Sequence, residues 1–204
     1  ACTTIYVGGD LVEEGTPFVA RTEDYGSDYN KLWFISESGK WKQGDHYVGC
    51  PEYGPFTYEL SHPSYRFTYF KNDNVYDGVC PECGEENAQH ASYTEFGTNE
   101  KGVSVSATET LYGNEKVTEA DPYRDAEWAA ANGNARIGIE ETDIPTIILA
   151  EASSAREGVK LLLDIYENYG CVYASGVFIC DKDEVWYVEN CSGTQYVAIK
   201  LNNN

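Results

Sequence analysis

Cys2 stands one residue from the start of the chain and leads directly into Thr3-Thr4-Ile5-Tyr6-Val7, a strand-like run closed by Gly8-Gly9. A thiol in that place can do chemistry that an internal thiol cannot. If Ala1 is removed, one residue carries both a nucleophile and a base, because the freed α-amine lies beside the sulfur. Reference pKa values of about 8 for an α-amine and about 8.5 for a thiol let the amine take the thiol proton near neutral pH. The plain alternative is a buried strand cysteine that happens to come early, since free cysteine packs as a small hydrophobe. Arg21 and Asp24 come next, within Val19-Ala20-Arg21-Thr22-Glu23-Asp24. Taken alone they read as an exposed salt-bridged turn. Beside Cys2, Arg21 would hold the thiolate and the developing negative charge, and Asp24 would anchor the freed amine. Glu109 reads either as a solvated rim carboxylate or as an anchor for a substrate's ammonium group.

Bringing these residues together requires particular elements. Thr3 to Val7 reads as a strand, Gly8-Gly9-Asp10 punctuates it, and Thr16 to Thr22 reads as a second strand returning beside it. In an antiparallel pair the end of the return strand lies near the start of the first, which brings Arg21 and Asp24 to Cys2. Residues 25–99, rich in Tyr, Gly, Pro, Asn and Asp, read as strands linked by long loops that shape a pocket. Gly102 to Glu109 is a further strand. Two helices follow. Asp143 to about Ala152 carries Pro145 in its first turn, and a second is capped by Ser153 or Ser154 and stopped by Gly170. Tyr173 to Cys180, Val185 to Glu189 and Gln195 to Leu201 close the chain as strands. Strands, a helical middle and strands again predict an α+β layered fold, with residues 1–204 as a single domain.

Composition excludes several functions. The 204-residue chain has a net charge of −20, which would repel phosphate backbones and anionic lipids, so neither nucleic acid nor a membrane surface is an expected partner. The longest apolar run, Ile144 to Ala152, falls far short of the roughly 20 residues needed to cross a bilayer. Beyond Cys2 there are six cysteines: Cys50, Cys80, Cys83, Cys171, Cys180 and Cys191. They allow about 15 connectivities of three disulfides and favour a secreted or extracytoplasmic setting over the cytoplasm. The chain opens on Ala1 rather than Met, as removal of a signal peptide or of the initiator Met would leave it.

Other motifs weigh less. Cys80-Pro81-Glu82-Cys83 reads first as a local disulfide, then as half a zinc site, since zinc wants two such pairs or accompanying histidines. His46, His62 and His90 lie in the loop-rich region, and a Cys–His pairing would need one of them opposite Cys2. Asp73 to Gly84 superficially follows a calcium loop, but Val75 and Gly84 occupy ligand positions, which rejects it. Asn190-Cys191-Ser192 fits the glycosylation triplet, a pattern frequent by chance. No metal or cofactor is expected.

Read together, these stretches resemble a known family. Cys2-Thr3-Thr4 with Val7-Gly8, Val19 to Asp24, Gly102 to Thr110 and Ala155-Arg156-Glu157-Gly158 are similar, in order, to the dipeptidase A family of N-terminal-nucleophile cysteine peptidases. Val185 to Glu189 and Ser192-Gly193-Thr194-Gln195 continue the match. The resemblance implies a four-layer αββα fold, self-processing that exposes Cys2, and hydrolysis of dipeptides, as the small peptide substrate, through an acyl-enzyme. It carries over Cys2 as nucleophile and base, Arg21 beside the thiol, and Asp24 on the amine. Thr108-Glu109 stands where related bile-salt and penicillin V amidases place an oxyanion-hole Asn, so both residues are expected at the substrate, Glu109 on a free peptide amine.

The chain also departs from the pattern. Thr194 stands where the family usually has His, and the chain is less than half the family's length. It is therefore expected to be a fragment, one chain of a processed enzyme, or a shortened relative, either homo-oligomeric or associated with a missing C-terminal portion. With Ala1 attached it would be an unprocessed precursor. An amidohydrolase of acylated amines and a non-catalytic secernin-like relative are the rival readings.

Overall fold

The computed structural model describes residues 2–24, 31–49, 56–72 and 94–203. Cys50, Cys80, Cys83, His90 and the rejected calcium loop fall outside them. Alternation in the first stretch forms strand β1 (Cys2–Val7), followed by a short 3-10 turn at Gly9–Leu11 and strand β2 (Phe18–Glu23). The two pair antiparallel, with Cys2 opposite Glu23 and Thr4 opposite Arg21. Because side chains alternate along a strand, Cys2, Thr4, Arg21 and Glu23 share one face and Thr3, Ile5, Ala20 and Thr22 the other. The first set is half-buried and the second exposed.

Strands β3 (Lys31–Ser36), β4 (His46–Val48), β5 (Thr57–Glu59) and β6 (Phe67–Asn72) come from the loop-rich region. After them come β7 (Phe96–Asn99) and β8 (Ser104–Thr108), then helices α1 (Glu115–Ala120), α2 (Ala126–Ala131), α3 (Ile144–Glu151) and α4 (Ala155–Tyr169). Strands β9 (Gly176–Cys180), β10 (Val185–Asn190) and β11 (Tyr196–Lys200) complete the order. Seven strands form one antiparallel sheet in the order β11-β10-β9-β8-β7-β6-β3, while β4 and β5 pair separately. The short helices α1 and α2 carry no apolar period and were not foreseen from the sequence.

Helix α4 explains itself. Ser154 caps it by accepting the Glu157 N–H at 3.2 Å, and Gly170, at φ 74°, ends it. Its buried residues, Ala155, Gly158, Val159, Leu162, Ile165 and Tyr166, recur at helical spacing and give one apolar face. Helix α3 is buried all round, because it lies against both the large sheet and α4. Leu149 and Ile148 of α3, with Val177, Ile179 and Val188 of the sheet, are fully buried. Each such side chain contributes roughly 2 kcal/mol through burial.

Asn99 locks α3 to the β7–β8 turn. Its amide donates to the carbonyls of Leu149 and Ala152 at 3.0 and 2.7 Å, and its oxygen accepts the N–H groups of Lys101 and Val103. The β1–β2 hairpin, touching β8 through β1, is a second β layer on the large sheet. Helices α3 and α4, the large sheet and the hairpin therefore supply three layers of the expected αββα order. The outer face of the hairpin is uncovered among the described residues, with Ile5 and Phe18 55% and 57% exposed.

Cys2, Cys171, Cys180 and Cys191 are free thiols. The three-bridge framework weighed from the sequence is thus not what the described cysteines form. Asn190, the head of the glycosylation triplet, is buried with its amide committed to Cys171 Sγ and the Tyr173 carbonyl. No helix among the described residues is long and apolar enough to cross a membrane.

Candidate active site

Cys2 and Arg21 meet because of the hairpin register. Arg21 lies opposite Thr4, so its side chain is the diagonal same-face neighbour of Cys2, within reach of a long side chain. Its Nη2 donates to Cys2 Sγ at 3.1 Å. Its Nη1 donates to two main-chain carbonyls, Glu95 O and Ala107 O, each at 2.9 Å. The guanidinium is 8% exposed, and its planar fork is filled by three acceptors at once. Asp24 follows β2 on the opposite side of the ribbon. There Thr3 Oγ1 and Thr22 Oγ1 donate to its carboxylate at 2.9 and 3.0 Å, fixing it beside the start of the chain.

Three further residues complete the constellation, and sequence alone did not single them out. Glu95 precedes β7 with its carboxylate 4% exposed, Oε2 lying 3.6 Å from Arg21 Nη2. Lys31, at the start of β3, pairs with Glu95 and with Glu23. Glu141 precedes α3 and is buried. Burial pushes the Glu141 carboxyl up to about 8; Arg21 opposes the rise, while Glu109 and Glu95 reinforce it. Glu141 also accepts the main-chain N–H of Glu109. Nothing in a run of Glu140-Glu141-Thr142-Asp143 distinguishes a buried acid from a solvated one, and the charge of Arg21 that Glu141 feels comes from a distant part of the chain.

The two residues expected at the substrate differ in setting. Thr108 is buried at the end of β8, its hydroxyl bonded to Gly176 O at 3.1 Å and to Thr110 Oγ1 at 3.2 Å. Glu109 is exposed, and partial desolvation raises its carboxyl above the ordinary value. His62 lies between the carbonyls of Pro63 and Glu151, and His46 pairs with Glu59 at 3.8 Å. Neither is a partner of Cys2. Thr194 donates from its N–H and its hydroxyl to Asp121, a structural role within a turn. Burial pushes the Cys171 thiol up to about 12, and it raises those of Cys180 and Cys191 as well. Among the described cysteines, only Cys2 receives a guanidinium hydrogen bond.

The Glu141 carboxyl has a consequence for stability. Its folded value lies above the ordinary 4.5, so between these values the folded chain holds a proton that the unfolded chain has released. Stability therefore falls as pH rises through this window. Glu141→Gln is expected to remove most of that slope, about 2 kcal/mol between pH 5.5 and 7.5. Urea denaturation at both pH values checks it, and an unchanged slope in the variant would refute it.

The layered α+β architecture, helices against a large antiparallel sheet with the hairpin on its other side, is the N-terminal-nucleophile hydrolase fold. The fold aligns with the structure of penicillin V acylase from Agrobacterium tumefaciens at a TM-score of 0.55 and 14% identity, over 100% of this chain and 52% of that one. The model of peptidase family C69 matches residues 1–204, and the chain belongs to that family. It is 33% identical over 201 residues to a probable dipeptidase B of Streptococcus pyogenes serotype M3, covering 98% of this chain and 35% of that protein. Probable dipeptidases of Latilactobacillus sakei and Salmonella dublin are each 32% identical, with 98% of this chain matching 37% and 40% of theirs. The chain thus spans well under half the length of these relatives.

Proposed function

We propose that this chain carries the nucleophile of a cysteine dipeptidase. The observation behind the reading is the bond from Arg21 Nη2 to Cys2 Sγ at 3.1 Å, made by a guanidinium fixed on two main-chain carbonyls. In this reading self-processing removes Ala1 and frees the Cys2 α-amine, which Asp24 anchors. The amine takes the thiol proton, and the sulfur attacks the peptide carbonyl while Arg21 holds the negative charge. Main-chain N–H groups stabilise the oxyanion, worth roughly 3 kcal/mol per donor. The amine then protonates the departing amino acid, and water releases the acyl group. Glu109, at the strand end that Thr108 ties to Gly176, receives the ammonium of the substrate's first residue. The relatives named as probable dipeptidases support a dipeptide over an acylated amine.

Intact mass and N-terminal sequencing, before and after iodoacetamide, test this together with a dipeptide-cleavage assay. The expected result is loss of Ala1, rapid addition of one carbamidomethyl group at Cys2, and cleavage that alkylation abolishes. Retained Ala1 with an unreactive Cys2 would sink the peptidase reading for this form. Cleavage of an N-acylated amine but of no dipeptide would favour the acylase reading.

A further inference from the structure

One nitrogen of Arg21 faces two acceptors. Nη2 donates to Cys2 Sγ at 3.1 Å, and Glu95 Oε2 waits at 3.6 Å, just beyond hydrogen-bond range. A buried carboxylate so close to a guanidinium would ordinarily take it as its own partner, in a bidentate pair. Here the pair with Glu95 Oε2 stays at the longer distance, while the other oxygen, Oε1, is engaged by Lys31, which also pairs with Glu23. Glu23 in turn lies opposite Cys2 in the hairpin. Burial raises the Glu95 carboxyl, while Lys31 and then Arg21 pull it back toward the ionised form.

We infer that Lys31 and Glu95 are positioning residues that set how much of Arg21's charge is left for the Cys2 sulfur. Lys31 occupies Glu95 Oε1 and balances its charge, so Nη2 stays on the sulfur. Without the lysine, Glu95 draws the guanidinium to itself and the Cys2 sulfur loses its hydrogen-bonded cation. Without the Glu95 carboxylate, the competing acceptor is gone, while the main-chain carbonyls of residues 95 and 107 still hold Nη1. Among the described residues Glu141 also feels the charge of Arg21, and Glu109 acts on Glu141, while Asp24 is held by the hydroxyls beside Cys2. All are acidic, and besides Arg21 the described cation paired into this acidic cluster is Lys31.

The arrangement predicts changes of opposite sign, which loss of structure would not produce. The inference rests on Cys2 being the reactive thiol, and the test separates the two. The rate of Cys2 alkylation by iodoacetamide at pH 7, read by peptide mapping, is compared in the full chain and its variants. Lys31→Met is expected to slow labelling about five-fold and Glu95→Gln to speed it about as much, in keeping with thiolate control of reactivity. Lys31→Met combined with Glu95→Gln should return close to the parent rate, and Lys31→Arg should keep it. Slowing by both single variants, or no change in either, overturns the inference while leaving Cys2 as nucleophile. If mapping finds the fast-labelled residue elsewhere than Cys2, the nucleophile assignment falls and the inference with it.

Discussion

Arg21→Leu is expected to slow alkylation of Cys2 at pH 7 by about 10- to 100-fold, the range that follows from losing a charge-assisted hydrogen bond to the sulfur. The same change leaves the carbonyls of Glu95 and Ala107 without the guanidinium and Glu95 without one of its cations. Breaking one side of a buried ionic cluster costs roughly 3 kcal/mol, so urea denaturation should register it too. Arg21→Lys should recover little of either loss. An ammonium is a point charge on a flexible stem, whereas this site presents two carbonyls and a sulfur in a planar fork. A labelling rate within two-fold of the parent in Arg21→Leu would remove Arg21 from the mechanism, whatever happened to stability.

Gly97→Ala is the second large effect, and it acts through the backbone. Gly97 is buried in β7 between Tyr69 of β6 and Val105 of β8. A Cβ there would run into the main-chain oxygen of Thr68 and come within 2.8 Å of Leu149. Leu149 could turn a rotamer, but a strand carbonyl cannot move without the sheet. The expected cost is about 3 kcal/mol, at the upper end of overpacking penalties. Glu95 enters β7 two residues earlier, its N–H bonded to Phe70 O and its carbonyl to Arg21. Any parting of β6 from β7 therefore reaches the thiol. Denaturation and Cys2 labelling should fall together in this variant; a parent-like midpoint would show that the sheet absorbs the methyl group.

Much of this architecture is legible locally. The Thr-Thr-Ile-Tyr-Val alternation and its return strand bring Arg21 to Cys2 as a diagonal neighbour and Asp24 to the start of the chain. The capped, Gly-stopped α4 and the three closing strands carry short-range signals that tertiary context did not override. Helices α1 and α2 escaped because six residues give too little period to read, although Asn114 and Asp125 cap them. What sequence could not reach are contacts set by strand order. Arg21 meets the carbonyls of residues 74 and 86 positions away, and nothing near Arg21 foretells either. Lys31 and Glu95 look like ordinary surface charges until β3 and β7 enter the same sheet.

The anchoring of Arg21 on main-chain carbonyls bears on how such a site can diversify. A carbonyl is supplied by every residue type, so its position depends on strand register and not on the identity of residue 95 or 107. The aim of the guanidinium is thus written into the sheet's geometry, much as a surveyor's benchmark is cut into bedrock. Side chains at the strand ends, Glu109 after β8 among them, can be exchanged without resetting that reference point. A library built to change substrate choice here should randomise side chains at the strand ends and leave alone the glycine that keeps β6 and β7 in register.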